Sequence, residues 1–147
     1  MANGLYSERV MKHFRKPHNL GKMKDPDGVG KIGNRRCGDV MWIYIRVKAN
    51  RIADIRFQTL GCAAAIASSS ILTDMTKGKT LEGAIKITSK GLAGELGGLP
   101  PVKLHCSVLA ADALAEAIYD YYKRRKKPVP KGLQKRHGTL GKRGESH

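Results

Sequence analysis

Residues 39–60 alternate between two sets of side chains, and this period of two predicts a β-hairpin. In the first half, one set comprises Met41, Ile43, Ile45 and Val47. After a turn at residues 49–51, the corresponding set comprises Ala53, Ile55, Phe57 and Thr59. A single apolar face is typical of antiparallel strands that cover a core. Because the two outer ends of a hairpin lie side by side, we expect Asp39 and Cys62 to be neighbours in space.

Apolar spacing of three and four residues predicts helices along much of the remaining chain. It predicts a short helix over residues 5–14 capped by Ser7, a helix of small residues over 63–75, and a long final helix over 102–122. Glycine-rich punctuation predicts a loop over residues 22–32 and one or two short helices over 80–98. We therefore predict an α+β fold: a small antiparallel sheet, made of the hairpin and a short third strand, is packed on one face by helices and completed by a long C-terminal helix.

The 147 residues are enough for one domain, which we place at residues 1–125. The net charge is +16, and ten of the 28 Lys and Arg residues but only one of the 12 acidic residues lie beyond Tyr122. More than half of the excess positive charge therefore lies in residues 123–147. We expect the tail, residues 126–147, to be disordered because it is poor in apolar residues. An RNA-binding function is disfavoured because residues 1–122 carry the smaller share of the net positive charge.

The cellular location is predicted from two features. No stretch approaches the roughly 18 apolar residues that span a bilayer, and the first eleven residues lack the apolar run of a secretory signal. The chain has three cysteines, an odd number that suits a reducing compartment better than a disulfide framework. We therefore expect a cytoplasmic protein without a membrane partner.

The three cysteines are the candidates for chemistry. Cys37, Cys62 and Cys106 each stand near the end of a predicted element beside glycine or close to proline, and Asp39 and His105 accompany them. A single cysteine is often only a small buried hydrophobe. Three cysteines with a carboxylate and an imidazole can instead complete a tetrahedral site for zinc or iron. Their wide spacing on glycine-flanked segments suits a site that accepts and releases its contents.

Cys62 and Cys106 are also predicted to lie at helix N-termini. There the unpaired backbone N–H groups and the helix dipole favour a thiolate over a thiol. A hydrolase with Cys106 as nucleophile is disfavoured, because the neighbouring His105 points about 100° away on a helix. His13 and His18 are interpreted as surface or packing residues and are left out of the site.

Four blocks of the sequence resemble one known family, the IscU/NifU N-terminal type iron–sulfur cluster assembly scaffolds. The blocks are residues 6–21 (YSERVMKHFRKPHNLG), 33–41 (GNRRCGDVM), 61–70 (GCAAAIASSS) and 99–107 (LPPVKLHCS). They occur in the family's order, and the similarity extends from about residue 6 to 122. Arg35 and Arg36 depart from the small or proline residues that the family usually has before the first site cysteine.

The resemblance implies a non-catalytic scaffold that builds a [2Fe–2S] cluster and transfers it. It implies that Cys37, Asp39, Cys62, His105 and Cys106 bind the cluster, or Fe²⁺ or Zn²⁺ in its absence. Cys106, Cys37 and Cys62 are the implied acceptors of persulfide sulfur. Asp39 is expected to keep the cluster labile, since a hard carboxylate holds a cluster less firmly than a thiolate.

The resemblance also implies partners. These are an IscS-type cysteine desulfurase, a ferredoxin, a frataxin-like protein, acceptor apo-proteins, and a heat-shock chaperone that docks on Leu99, Pro100, Pro101, Val102 and Lys103. A homodimer around the cluster is a further expectation, with Tyr6 and the N-terminal segment at the contact. The alternative function is a zinc-binding sulfur carrier that accepts persulfide without building a cluster. The zinc-dependent sulfurtransferase branch of the family has a sizeable insertion between the positions of Cys62 and Cys106. This chain lacks the insertion, which disfavours the alternative without removing it.

Overall fold

The computed structural model describes residues 7–34, 39–98 and 104–143, and only the backbone of residues 34, 105 and 140–143. Three strands and six helices follow one another in the described part of the chain. In order they are α1 (Glu8–Arg15), β1 (Gly28–Asn34), β2 (Asp39–Lys48), β3 (Arg51–Leu60), α2 (Ala63–Thr76), α3 (Leu81–Ile85), α4 (Ser89–Glu95), α5 (Leu104–Arg124) and α6 (Lys131–Arg143).

The three strands form one antiparallel sheet in the order β1-β2-β3. The predicted hairpin is confirmed, with β2 and β3 joined by a two-residue turn at Ala49 and Asn50. Both turn residues have positive φ (52° and 62°), as the tight turns that match strand twist require. The alternating set of β2 that starts at Met41 faces the core. The α+β prediction is therefore confirmed, including the third strand and the long helix α5.

One detail of β3 differs from the sequence pattern. Ile52 is buried, whereas Ala53, which the strict alternation placed inside, is exposed. The pairing register shifts here, because Arg46 pairs with Asp54 while Val47 pairs with Ile52. Ala53 is thus the extra residue of a β-bulge, and the bulge reverses the inward and outward positions on either side of it.

Strand β1 occupies part of the predicted loop, so that prediction was wrong for residues 28–32. The glycines that indicated a loop are instead contact points for α5. A Cβ atom on Gly30 would lie 2.0 Å from the carbonyl oxygen of Ala113, and one on Gly28 would lie 2.3 Å from that of Ala117. The strand needs these glycines because the backbone of α5 lies directly on it.

Helix α2 is buried on most sides, between α1 and the core, because its side chains are small. Its Ala67 packs with Val10 of α1 and with Leu96, while Ala64 and Leu72 belong to the main core. Ser7 caps α1 as predicted, since its hydroxyl accepts from the backbone N–H of Val10. Within the described residues, no helix is long and apolar enough to cross a lipid bilayer.

The tail departs from the expectation of disorder, because residues 131–143 form α6 against α5. Leu133 is 1% exposed and joins the core. Arg136 Nη2 lies 2.9 Å from Asp112 Oδ1. The His137 ring stacks on Tyr119, with ring centroids 3.9 Å apart. The composition of the tail did not indicate this helix, because its charged partners and its aromatic neighbour lie on α5. The boundary at residue 125 stays a prediction.

Helix α1 also places a buried histidine against α2. His13 is 9% exposed, and its Nδ1 lies 2.7 Å from Ser70 Oγ. Burial, followed by repulsion from the nearby His18, lowers the pKa of His13 below the ordinary histidine value. The folded protein therefore holds this ring neutral at a pH where the unfolded chain begins to protonate it.

We expect Gly30→Ala to lower the free energy of unfolding by about 3 kcal/mol, since the new methyl group meets helix backbone that cannot move aside alone. The matched control is Gly94→Ala in α4, where a Cβ meets nothing within 4 Å. That control should raise stability by up to about 1 kcal/mol, because alanine favours the helix. Urea unfolding measures both. An unchanged stability of the Gly30 variant would contradict the close packing.

We expect the stability of the protein to fall as the pH drops below about 6.5, the ordinary pKa of histidine. The folded-state pKa of His13 is lowered, so the unfolded chain binds the extra proton first and is favoured by acid. His13→Gln should flatten this part of the pH profile of unfolding, measured in urea with a chelator present. An equal slope in the variant and the parent protein would show that other groups cause the fall.

Candidate metal centre

The centre lies where the outer end of the β2–β3 hairpin meets the N-termini of two helices. Asp39 is the first residue of β2, and the next residue, Val40, pairs with Leu60 at the end of β3. Thr59 closes this end, because its hydroxyl donates to the carbonyl oxygen of Val40 at 2.7 Å. The carboxylate of Asp39 is held in a buried position, with the residue 7% exposed.

Gly61 allows the chain that follows β3 to approach Asp39. A Cβ on Gly61 would lie 3.2 Å from the Asp39 carboxyl carbon and 3.0 Å from the Cβ of Ala65. Cys62 comes next and is the N-cap residue of α2. Its carbonyl accepts the first helical hydrogen bond, from Ile66 at 3.1 Å. The thiol of Cys62 is therefore held beside the first turn of α2 and is half-buried.

Helix α5 supplies the third side chain. Cys106 is the third residue of α5, and its side chain is fully buried. Its Sγ lies 3.6 Å from Cys62 Sγ and 3.9 Å from Asp39 Oδ2. One ligand atom from each of these three residues lies within 4.8 Å of the other two. The fold thus gathers residues from positions 39, 62 and 106 into one donor set.

These distances fit a single metal ion. Two thiolates bound to one zinc at about 2.3 Å with tetrahedral angles lie about 3.8 Å apart. The observed 3.6 Å between the two sulfur atoms is close to this spacing and far longer than the roughly 2.05 Å of a disulfide bond. Two sulfur donors and one oxygen donor suit zinc and iron better than magnesium or calcium.

The two helix N-termini supply positive potential at this donor set. Cys62 precedes α2 and Cys106 lies in the first turn of α5, so the first backbone N–H groups of both helices are near the thiols. Helix dipoles stabilise negative charge at this end. Together they offset part of the repulsion between two thiolates and a carboxylate.

The structure tests the other predicted site residues only in part. Cys37 lies outside the described residues, as do Tyr6 and the predicted chaperone-docking segment, residues 99–103. His105 is described as part of α5, but its side chain is not. The roles of these residues stay predictions.

A second group of donors includes two residues that the sequence analysis left out. His13, His18 and Asp74 each offer a ligand atom within 4.8 Å of the other two. The spacing of the two histidines, five residues apart around Pro17, was the available signal. The sequence alone did not link Asp74 to these histidines, because only the packing of α1 on α2 brings the three residues together.

Comparison with known proteins places the chain in a family. Residues 5–128 match the family model of the NifU-like N terminal domain. The iron-sulfur cluster assembly scaffold protein IscU 1 of Archaeoglobus fulgidus is 61% identical over 120 residues, which cover 82% of this chain and 78% of that protein. The iron-sulfur cluster assembly scaffold protein IscU of Aquifex aeolicus is 48% identical over 118 residues, which cover 79% and 75%.

A solved structure has the same fold. The N-terminal part of a nitrogen-fixing NifU-like protein from Brucella abortus superposes with a TM-score of 0.66 over 82% of this chain and 96% of that one. At 20% identity, this likeness concerns the fold alone. The family match and the identity to the two IscU proteins go further, and they show that this chain belongs to the IscU-type scaffold proteins of the NifU-like N-terminal domain family.

Proposed function

We propose that this protein is a scaffold, rather than an enzyme, on which a [2Fe–2S] cluster is assembled and from which it passes to acceptor apo-proteins. The observation that carries the proposal is the convergence of Asp39, Cys62 and Cys106 on one point, in a chain of the IscU family. Iron and sulfur are the cargo of this site.

Five residues supply the ligands in this proposal. Cys62 and Cys106 hold one side of the cluster, and their 3.6 Å separation suits two thiolates on one iron. Cys37 is only two residues from Asp39 in the sequence, which is why it belongs to the proposed ligand set. Asp39 or His105 completes the set, depending on the state of assembly. In the absence of a cluster, the same residues hold Fe²⁺ or Zn²⁺.

Sulfur arrives as a persulfide on an IscS-type cysteine desulfurase. A scaffold thiolate, from Cys106, Cys37 or Cys62, attacks the outer sulfur, the sulfur–sulfur bond breaks, and the desulfurase thiolate leaves. Two such sulfurs need four electrons to become sulfide. Oxidation of two Fe²⁺ to Fe³⁺ supplies two electrons, and a ferredoxin supplies the other two. Since Cys106 is fully buried, sulfur reaches it only after neighbouring residues of the protein move aside.

Release of the cluster depends on Asp39 in this proposal. The carboxylate is a harder ligand than a thiolate and exchanges more readily on iron. Its contact distance of 3.9 Å to Cys106 allows it to bind the same iron or to leave it with a small movement. A buried position shields the bound cluster from water until an acceptor docks.

The remaining partners belong to the same proposal. A frataxin-like protein assists assembly, and a heat-shock chaperone binds residues 99–103 to promote transfer. A homodimer can share a cluster between two copies. The cytoplasmic location stays a prediction.

A zinc-binding sulfur carrier is the second candidate function. The donor set favours this function because the spacing of its sulfur atoms already fits one tetrahedral zinc ion. Metal analysis of protein purified without oxygen separates the two functions. One tightly held zinc per chain, with no chromophore after supply of iron and sulfur, would replace the cluster proposal by this one.

We expect anaerobic reconstitution with Fe²⁺, cysteine and a desulfurase to produce a visible chromophore with two irons and two sulfides per cluster. Cys37→Ser, Cys62→Ser and Cys106→Ser should each lose most of it, because a neutral hydroxyl replaces a thiolate ligand. Ser107→Ala is the matched control, since its hydroxyl bonds to the Leu104 carbonyl rather than to the site. A cysteine variant that retains the full chromophore would remove that residue from the ligand set.

We expect Asp39→Ala to slow transfer of the cluster to an apo-ferredoxin several-fold, since the most exchangeable ligand is lost. Asp54→Ala is the matched control, because that carboxylate is on β3 and pairs with Lys77 at 3.3 Å. The rate is followed by the change in circular dichroism as the cluster changes protein. Faster transfer from the Asp39 variant would overturn the role given to this carboxylate.

A further inference from the structure

We propose that His13, His18 and Asp74 form a second metal site, which binds a divalent transition ion such as Zn²⁺ and joins the N-terminal segment to α2. The three residues come from α1, from the segment that follows it, and from the last turn of α2. Each offers a ligand atom within 4.8 Å of the other two. Two imidazoles and one carboxylate are a common ligand set for zinc and for non-haem iron.

This cluster is separate from the cysteine centre. Asp74 is twelve residues beyond Cys62 along α2, and a rise of 1.5 Å per residue separates them by about 18 Å along the helix axis. None of its three side chains belongs to the ligand set of the proposed scaffold function. The site can therefore be filled or emptied without a change in the ligands of the cluster.

Surrounding groups already hold two of the ligands in place. Ser70 Oγ lies 2.7 Å from His13 Nδ1. In the tautomer whose Nδ1–H donates to this oxygen, the Nε2 lone pair is available for a metal. The same oxygen accepts from the backbone N–H of His18 at 2.8 Å. Asn19 Nδ2 lies 3.4 Å from Asp74 Oδ1 and donates to Thr73 Oγ1 at 2.9 Å. Partners of this kind orient ligands in metal sites.

The contact between His18 and Asp74 is where we place the ion. His18 Nδ1 lies 2.5 Å from Asp74 Oδ2, within hydrogen-bonding distance. Two ligands at about 2.0–2.1 Å from one tetrahedral zinc lie about 3.3 Å apart. The pair therefore opens by less than 1 Å when Zn²⁺ takes the place of this hydrogen bond, whose proton passes to solvent. Both side chains are partly exposed, 53% for His18 and 39% for Asp74, and have room to make this movement.

A cavity of about 320 Å³ beside the cluster gives access for the ion and for a water molecule as the fourth ligand. It is lined by Arg9, Lys12, His13, His18, Ile71 and Glu95. Arg9 lies 3.9 Å from the Glu95 carboxylate, which offsets part of its charge. The remaining positive charge of Lys12 disfavours weakly held cations. The two nitrogen donors favour Zn²⁺ or Co²⁺ over Mg²⁺ and Ca²⁺.

The test is an anaerobic titration of the full chain, stripped of metal by a chelator, with Co²⁺. The first class of site should show thiolate-to-cobalt charge transfer from the cysteine centre, and a second equivalent should add only weak d–d bands from nitrogen and oxygen ligands. His18→Ala and Asp74→Asn should each lower the affinity for the second equivalent of Co²⁺ by about 100-fold. Both variants should leave the charge-transfer bands unchanged. Ser70→Ala should lower this affinity by about tenfold, because His13 loses the partner that orients its ring.

His137→Ala is the matched control. That histidine also contacts a carboxylate, with Nδ1 2.8 Å from Glu116 Oε2, but it belongs to neither donor group found among the described residues. It should leave both classes of cobalt site unchanged. A loss of the second equivalent in this control would indicate non-specific binding by exposed histidines and would overturn the proposal.

Thermal unfolding with Zn²⁺ supplies an independent readout. In Cys62→Ser, which weakens the first centre, Zn²⁺ should still raise the melting temperature, and Mg²⁺ at equal concentration should not. Adding His18→Ala should remove the zinc effect. The proposal fails if the parent chain shows no second cobalt equivalent, or if that equivalent survives both His18→Ala and Asp74→Asn. Loss of the first, charge-transfer class alone would instead contradict the proposed scaffold function.

Discussion

The close approach of α5 to β1 is the contact on which the rest of the structure depends. Carbonyl oxygens of Ala113 and Ala117 occupy the space that side chains on Gly30 and Gly28 would need. Because backbone lies directly on backbone, the helix has little freedom to slide along the strand. The position of Cys106, two turns earlier on α5, is therefore set by this contact. The cysteine centre depends on glycines that carry no chemistry of their own.

Helix α2 connects the two groups of metal-binding side chains. Its N-terminus presents Cys62 to the hairpin end, and its last turn presents Asp74 to the histidines. Small side chains along its length let α1 and the core pack against it from different sides. A substitution that displaces α2 would therefore disturb both groups at once, whereas a substitution at either end would disturb one. This distinction allows the two sites to be tested separately.

The basic tail shows how charge can be misjudged from composition. Beyond residue 128, where the family match ends, α6 covers acidic side chains of α5 and adds Leu133 to the core. Part of its positive charge thereby neutralises Asp112 within the molecule, through Arg136. A partly buried ion pair such as Arg136–Asp112 is screened less by solvent than an exposed one, so it is suited to orient α6. Part of the large net positive charge thus stabilises the folded protein.

Local patterns in the sequence determined most elements of this protein. Alternation over residues 39–60 predicted the hairpin, and Ser7 and Cys62 marked the starts of α1 and α2, because strand period and helix capping are properties of neighbouring residues. The meeting of Asp39 with Cys62 also followed, since it is a property of any hairpin. Tertiary structure decided the bulge at Ala53, β1 in place of a loop, helix α6, the approach of Cys106, and the grouping of His13 with His18 and Asp74. Each of these depends on contacts between residues that are distant in the chain or on a pairing register, neither of which is written in local periodicity.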